Sequence, residues 1–329
     1  MSADSGSRSG AVVTLGETMA LITAPSGRHL RGGTELPVGI GGAESNVAIG
    51  LARLNVPVTW ISRVGDDAFG SLVTREIRAE GVRVLAAVDP DARTGLMVKE
   101  QLHGTPWRVR YYRDGSAASR LSPADLDSSV IADAKVLHLT GITPALGPSA
   151  LATVLRAVEI AQQAGTLVSS EVNHRAALWA AGEAELVLAE LCGSADLVFA
   201  GSAEAALVLG SEAAPGEIAD DESLARGLAK LGASTVVLKL GARGALALDG
   251  DETVFAATEP VDVVDPVGAG DAFVAGYLSA LVDNQPVAEC LRRGNRVGGA
   301  VCRVRGDWEG LPTPEELHQI DFQLEDVVR

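Results

Sequence analysis

Short apolar runs and longer amphipathic runs alternate along most of this chain. Ala11–Leu15 (A-V-V-T-L), Val58–Val64 and Ser234–Leu240 (S-T-V-V-L-K-L) are rich in β-branched residues and read as strands. Lys135–Leu139, Thr166–Val172 and Asp196–Ala200 read the same way. Asp66–Glu80, Pro148–Ala164, Glu183–Cys192, Ser202–Leu209 and Glu222–Leu231 carry helical spacing. Such alternation predicts a mostly parallel sheet with helices on its faces. Val38–Asn46 reads as a Gly-rich turn before a helix over Val47–Leu54. Ala245–Leu248 and Glu252–Phe255 read as a hairpin around Asp249-Gly250. Helices over Val287–Val304 and Pro314–Gln319 follow.

The alternation breaks at Thr94–Arg113, where two extended runs are joined through Gly104-Thr105-Pro106 with no helix between them. With Met19–Thr23, a second extended segment, this predicts a small accessory sheet, or lid, from residues 19–38 and 94–113. An antiparallel edge on the main sheet is the alternative. No repeat or long linker divides the chain, so residues 11–321 read as one α/β domain with a lid. Pro25–Thr34 is loop-like, and the Ser/Gly-rich Met1–Gly10 reads as a flexible tail without the apolar core of a signal peptide.

Composition narrows the partners. Among 329 residues, 27 basic side chains stand against 43 acidic ones, a net charge of −16. That disfavours nucleic acid and anionic membrane surfaces. A nucleotide needs only local positive charge. Cys192, Cys290 and Cys302 are scattered, which fits a reducing cytosol rather than a disulfide framework. The five histidines (His29, His103, His138, His174, His318) lack ligand spacing. No apolar run reaches the ~18 residues of a membrane-spanning helix.

The densest chemical signal is Val261–Ala280, V-D-V-V-D-P-V-G-A-G-D-A-F-V-A-G-Y-L-S-A. Val261, Val263 and Val264 read as a strand end or tight loop. Gly268-Ala269-Gly270 follows, then Asp271 and an apolar helical run to Val282. A helix start offers unpaired N–H groups to an anion. A carboxylate beside that anion makes sense as a base that takes a proton from an attacking hydroxyl. A plain turn with Asp271 as helix cap is the alternative.

Four further clusters accompany it. Gly41-Gly42-Ala43-Glu44-Ser45-Asn46 offers small gaps and two-way hydrogen bonding for a polyol, or a capping turn. Arg110-Tyr111-Tyr112-Arg113 places Tyr111 and Arg113 on one strand face, either gripping a carboxylate or solvated. Arg175, in Glu171-Val172-Asn173-His174-Arg175, follows a strand, where parallel sheets bind ligands, and reads as an anion grip or an ordinary surface arginine. Lys239-Leu240-Gly241-Ala242-Arg243-Gly244 also follows a strand and suits a nucleotide, or simply turns a hairpin. Gly-Lys occurs nowhere, so a P-loop is excluded. Glu44 stands where a dinucleotide fingerprint needs glycine.

D-P-V-G-A-G-D-A-F at Asp265–Phe273 and G-G-A-E-S-N-V-A at Gly41–Ala48 resemble the two signatures of the ribokinase-like (PfkB-type) carbohydrate kinases. The resemblance covers essentially the whole chain after the tail. It implies a Rossmann-like, ribokinase-like three-layer α/β sandwich with a small β-sheet lid. It also implies ATP, Mg2+, room for a structural monovalent cation, and cytoplasmic carbohydrate metabolism.

Within the family the chain is most similar to 2-keto-3-deoxygluconate kinases, through G-E-T-M near Gly16, Y-Y-R-D-G-S-A at Tyr111 and H-L-T-G-I-T-P-A-L at His138. By that resemblance Asp271 is the base, and Gly268, Ala269 and Gly270 complete the anion hole. Gly42, Asn46, Tyr111, Arg113, Arg175 and Asp307 meet the sugar acid. Lys239, Gly241, Arg243, Gly244, Gly268, Gly270 and Asn295 meet ATP, and Glu204 serves the metal. A fructokinase, ribokinase or other acid-sugar kinase is the nearest alternative, and a non-catalytic sensing module a more distant one. Open lid edges suggest a homo-oligomer. Three positions depart from the family pattern: Gly201 replaces Asn in N-x-x-E, Glu171 replaces Asp in D-x-N, and Met97 stands where related kinases carry an aromatic ring.

Overall fold

The computed structural model describes residues 12–24, 31–101, 108–180, 182–210 and 218–319. The Met1–Gly10 tail, most of the Pro25–Thr34 loop, the Gly104-Thr105-Pro106 turn, His29 and His103 lie outside the described residues. In chain order the strands are β1 (Val12–Leu15), β2 (Met19–Thr23), β3 (Val38–Gly41), β4 (Val58–Gly65), β5 (Arg83–Asp89), β6 (Leu96–Glu100), β7 (Arg108–Tyr112), β8 (Val136–Thr140), β9 (Leu167–Glu171), β10 (Leu197–Gly201), β11 (Thr235–Lys239), β12 (Ala245–Asp249) and β13 (Glu252–Ala256). The helices are α1 (Ala43–Arg53), α2 (Ala68–Ala79), α3 (Ser128–Ala132), α4 (Pro148–Ala164), α5 (Glu183–Gly193), α6 (Ser202–Val208), α7 (Ile218–Ala229), α8 (Ala269–Val282) and α9 (Val287–Val301).

The large sheet runs β13-β12-β11-β10-β9-β8-β1-β4-β5 among the described residues. From β11 to β5 every pairing is parallel, and β12 and β13 add an antiparallel edge. The period-two alternation of strands sorts side chains to two faces. Leu137, Val198, Val236 and Leu246 join one buried cluster, with helices α4 to α7. Val136, Phe199, Val237 and Ala245 join the other, with α1, α2, α8 and α9. Helices therefore cover both faces, as the alternation of apolar runs implies.

The chain leaves β1 toward β4 and β5 on one side and returns to β8 on the other. That reversal opens a crevice at the carboxyl ends of the strands, where open α/β sheets hold ligands. The second sheet, β3-β2-β6-β7, is separate from the first, so residues 94–113 form a lid strand pair and not an edge of the main sheet.

Three local features differ from expectation. Val38–Gly41 is a strand, because pairing with β2 (Met19↔Gly41 to Ile22↔Val38) outweighs the weak strand propensity of glycine. Helix α1 starts at Ala43 instead of Val47. Its first turn, Ala43 to Asn46, is buried, so the polar residues that mask the helical pattern face inward. β5 was not expected: as an edge strand its Ala-rich middle is only half buried and shows little alternation. Val261–Val264 is a loop, with Val263 and Val264 exposed.

Helix α8 is apolar nearly all round because it is buried against both α1 and α9. A Cβ on Gly276 would lie 2.8 Å from the Arg293 carbonyl oxygen and 2.9 Å from Val297 Cγ2, so only glycine permits this approach. Gly276→Val should therefore destabilise the protein by about 1–3 kcal/mol. A lower urea midpoint at unchanged m-value is the expected reading; an unchanged midpoint would show that α8 and α9 can separate without cost.

Candidate active site

A cavity of about 680 Å³ lies at the carboxyl ends of the parallel strands, beneath the lid. Glu17 follows β1, Ile142 follows β8, Glu171 and Arg175 come from the end of β9, Glu204 from beyond β10 and Lys239 from β11. Met97, Lys99 and Tyr111 reach it from the lid. Gly42, Asn46, Gly268, Gly270, Asp271 and Asp307 complete the wall. Residues spread from 17 to 307 thus converge on one space.

The helix starts of α1 and α8 meet there. Asn46, in the first turn of α1, donates from Nδ2 to Asp271 Oδ2 at 2.7 Å. Gly268 is the N-cap of α8 at φ +78°, and a Cβ on it would lie 1.8 Å from the Asp307 carbonyl oxygen. Only glycine fits that position. The N–H groups of the first turn behind it are those a helix leaves without internal partners. Asp271 is buried, and its carboxyl is pushed up to about 7. Burial is the main cause, followed by the Glu171 charge; the Asn46 hydrogen bond, Lys239 and Arg175 pull the other way. A carboxyl poised near neutrality suits a general base.

The two arginines differ. Arg113 is buried and ion-paired through Nη2 with Glu17, whose side chain is fully buried and also accepts from Ser116 Oγ at 2.5 Å. The Arg113 Nε has no hydrogen-bond partner among the described residues, and its Cζ lies 5.7 Å from the Tyr111 ring centre. Arg175 lines the cavity and is exposed. Asn173, also on the cavity, holds φ +35° with its buried Nδ2 unpartnered among the described residues. Such backbone conformations in non-glycine residues gather at functional sites.

Also on the cavity, Lys239 forms an ion pair with Glu171. Burial opposes the Lys239 charge, but Glu171 chiefly, then Glu204, holds the ammonium above its ordinary value. Burial likewise pushes Glu171 up, and Lys239 outweighs it, so that carboxyl stays below its ordinary value. A Cβ on Gly270 would lie 3.2 Å from Lys239 Nζ, which places this cation beside the start of α8.

The remaining nucleotide candidates do not line the cavity. Gly241–Arg243 forms a short 3-10 turn, and Arg243 Nη1 donates to Asp221 Oδ2 at 2.6 Å. A Cβ on Gly244 would meet residues 256–258, and Asn295 Nδ2 donates to the Ala256 carbonyl oxygen at 2.9 Å. Gly244 and Asn295 thus share one neighbouring segment, with Lys239 as the link back to the cavity. Ala269 also lies outside the lining.

Glu204 Oε1 accepts from the His174 N–H at 2.9 Å, and Oε2 from the Gly201 N–H at 2.7 Å. Gly201 leaves room for a side chain, the nearest atom to a Cβ being Glu204 Oε2 at 3.4 Å. No cluster of three or more acidic, His or Cys side chains is placed to hold a metal among the described residues. Each Glu204 oxygen keeps a lone pair, and Glu171 Oε2 is buried without a hydrogen-bond partner among the described residues. That donor set fits magnesium brought in on phosphate oxygens and water, with at most one or two carboxylates.

Reading the residues alone missed Glu17, Glu44 and Lys99. Glu44 is fully buried, and Thr140 Oγ1 at 2.6 Å and Thr143 Oγ1 at 2.7 Å both donate to its Oε1. The signal was present for the first two, since Glu17 and Glu44 sit inside G-E-T-M and G-G-A-E-S-N.

The family described as pfkB family carbohydrate kinase matches residues 10–314. The chain belongs to this family. This PfkB-family protein is 38% identical to a 2-dehydro-3-deoxygluconokinase of Bacillus subtilis (strain 168) over 311 residues, covering 93% of each chain. It is 35% identical to a 2-dehydro-3-deoxygluconokinase of Thermoproteus tenax, over 94% of this chain and 93% of that one. A 2-dehydro-3-deoxygalactonokinase of Haloferax volcanii is 32% identical, over 94% and 96%. The crystal structure of a PfkB protein from Polaromonas sp. JS666 matches with a TM-score of 0.82 and 36% identity, over 93% and 98%. The chain is therefore a ribokinase-like phosphotransferase that acts on a sugar hydroxyl, and PfkB kinases use ATP. No helix among the described residues is long and apolar enough to cross a membrane.

The raised Asp271 carboxyl gives a pH dependence. A base at Asp271 cannot accept a proton while it is itself protonated, below about pH 7, so if it serves that role kcat/KM should rise with pH and level off above that value. Asn46→Leu removes a hydrogen bond that favours the ionised form and should move this limb to higher pH. A pH–rate profile decides; an unmoved limb would mean that Asp271 is not the titrating group.

Proposed function

We propose that this protein transfers the γ-phosphoryl group of ATP to the 6-hydroxyl of 2-keto-3-deoxy-D-gluconate, giving the 6-phosphate and ADP. One observation carries the reading: a buried carboxyl, oriented by Asn46 at a helix start, shares a cavity with two arginines. The names of the relatives at 38% and 35% identity support this substrate class. Neutral sugars have little use for two guanidinium groups, whereas an aldonate carboxylate matches them.

In this reading residues 11–321 act as one catalytic unit, and the lid covers the sugar. Arg175 and the open Nε of Arg113 hold the carboxylate end, with Tyr111, Gly42, Asn46 and Asp307 along the chain of hydroxyls. The 6-hydroxyl is left at Asp271, which accepts its proton. The N–H groups of Gly268–Asp271 and the Lys239 ammonium face the charge that builds on the transferring phosphoryl group. Gly241, Arg243, Gly244 and Asn295 hold the rest of the nucleotide. Glu204 would hold magnesium brought in with ATP, and that ion would supply neutralisation of phosphate charge. A fold relative, titled a putative ribokinase II from E. coli, is described in complex with ATP and Mg2+, which supports that pairing.

A coupled ADP-release screen tests the substrate. The keto-deoxy gluconate should lead, ahead of its galactonate epimer and well ahead of fructose and ribose. A preference for fructose would overturn the assignment. Asp271→Asn should lower kcat roughly 10²–10⁴-fold with little change in ATP affinity. Arg175→Leu should raise the KM for the sugar acid about 10–100-fold, the worth of a charge-assisted hydrogen bond, and leave neutral sugars unaffected.

The reading extends to a homo-oligomer joined through the lid. Its outer strands β3 and β7 expose Val38, Tyr111 and Tyr112 beside open backbone groups. Gel filtration should show a species larger than one chain, and a monomer would count against it.

A further inference from the structure

Lys99 lies on lid strand β6, between Thr23 of β2 and Val109 of β7. Its side chain is 5% exposed, and its Nζ lies 2.7 Å from Asp265 Oδ2 and 3.8 Å from Asp307 Oδ1. Asp265 heads the loop that leads to Gly268. Its Oδ1 accepts from the Val267 N–H at 3.2 Å, and its Oδ2 from the Gly306 N–H at 3.5 Å. Asp307 follows Gly306, and its carbonyl oxygen backs Gly268. One ammonium therefore joins three segments distant in sequence: the lid, the loop before α8 and the turn behind that loop.

Two further observations point to a ligand. Asp307 lines the cavity, and its buried Oδ1 has no hydrogen-bond partner among the described residues. Arg175, exposed, lines the same cavity. If the lid withdrew, the cation would leave with it. Asp265 and Asp307 would then be two buried acids without the charge that offsets them, which is strongly unfavourable. Lid position and loop geometry are thus linked as one element with two arrangements.

We propose that Lys99 is a positioning residue that couples closure of the lid to assembly of the phosphate-binding loop, with Asp307 making both depend on the sugar. This rests on the reading in which the cavity takes the sugar acid and Gly268–Asp271 the transferring group. It gives Lys99 a part in the reaction without contact with the reacting atoms.

The test compares Lys99→Met, Lys99→Arg and the double variant Lys99→Met/Asp265→Asn. The double variant removes both charges of the closest pair and leaves one buried acid, Asp307, without its cation where the single variant leaves two, so a loss the two variants share is not a loss of stability alone. Wild type should bind a non-hydrolysable ATP analogue more tightly when the sugar acid is present, as linkage requires of coupled sites. In Lys99→Met and in the double variant that tightening, roughly 5- to 150-fold for couplings of this kind, should disappear, and kcat should fall with it. Lys99→Arg should restore most of both. A merely structural lysine would change the melting temperature and leave the sugar effect on nucleotide affinity intact. Variants that keep wild-type kcat, KM and sugar effect overturn the coupling while the substrate reading stands. A wild-type protein inert toward every sugar defeats that reading and the coupling with it.

Discussion

The hydrogen bond from Asn46 to Asp271 is the contact on which the site depends. It spans 225 positions in the chain and joins the first turns of two packed helices. A Cβ on Gly50 would come within 2.6 Å of Ala275 Cβ, so α1 and α8 are pressed together just beyond it. The two helix starts are therefore fixed relative to each other. Their positive ends address the same cavity. In the proposed reading, a shift of either helix would displace the carboxyl from the hydroxyl and the amides from the phosphoryl group together.

The cavity poses an electrostatic problem that its ion pairs answer. Glu17, Glu171, Asp271 and Asp307 all line a space read as receiving two anions. Arg113 neutralises Glu17, Lys239 neutralises Glu171, and Lys99 stands near Asp307. Burial pushes Asp271 up to about 7, so it carries only part of a charge near neutrality, and pushes Asp307 up to about 6. The net charge of −16 is thus no obstacle to a nucleotide, because the charges that matter locally are paired or held back.

The large sheet was legible because its strands are Val- and Leu-rich runs of even length between amphipathic helices. β5 was not, since an edge strand needs less apolar surface and Arg83–Asp89 shows little alternation. The start of α1 was hidden for the opposite reason: Glu44, Ser45 and Asn46 are polar yet buried, as a site requires. The glycines and the helix start at Asp271 were readable from local spacing, but spacing alone left a plain capping turn open, and it took the resemblance at both signatures to favour a catalytic carboxyl. Lys99 was not, because its meaning lies in Asp265 and Asp307, far away in sequence and adjacent only after folding. Arg243 and Asn295 show the same limit: their partners, Asp221 and Ala256, come from other elements.

The order of strands has a consequence for how the protein is made. β1 sits inside the sheet, yet one of its neighbours, β8, begins only at Val136. Until that segment leaves the ribosome, β1 presents an open edge. The face carrying Phe199 and Val237 waits longer, because α8 and α9 close it. At roughly 5–20 residues per second, α8 emerges seconds after β11. The nascent chain is thus most exposed to misassembly just before its last third is complete. The helix that ends this exposure is also the one that brings Asp271, so the carboxyl proposed as the base arrives with the segment that seals the core.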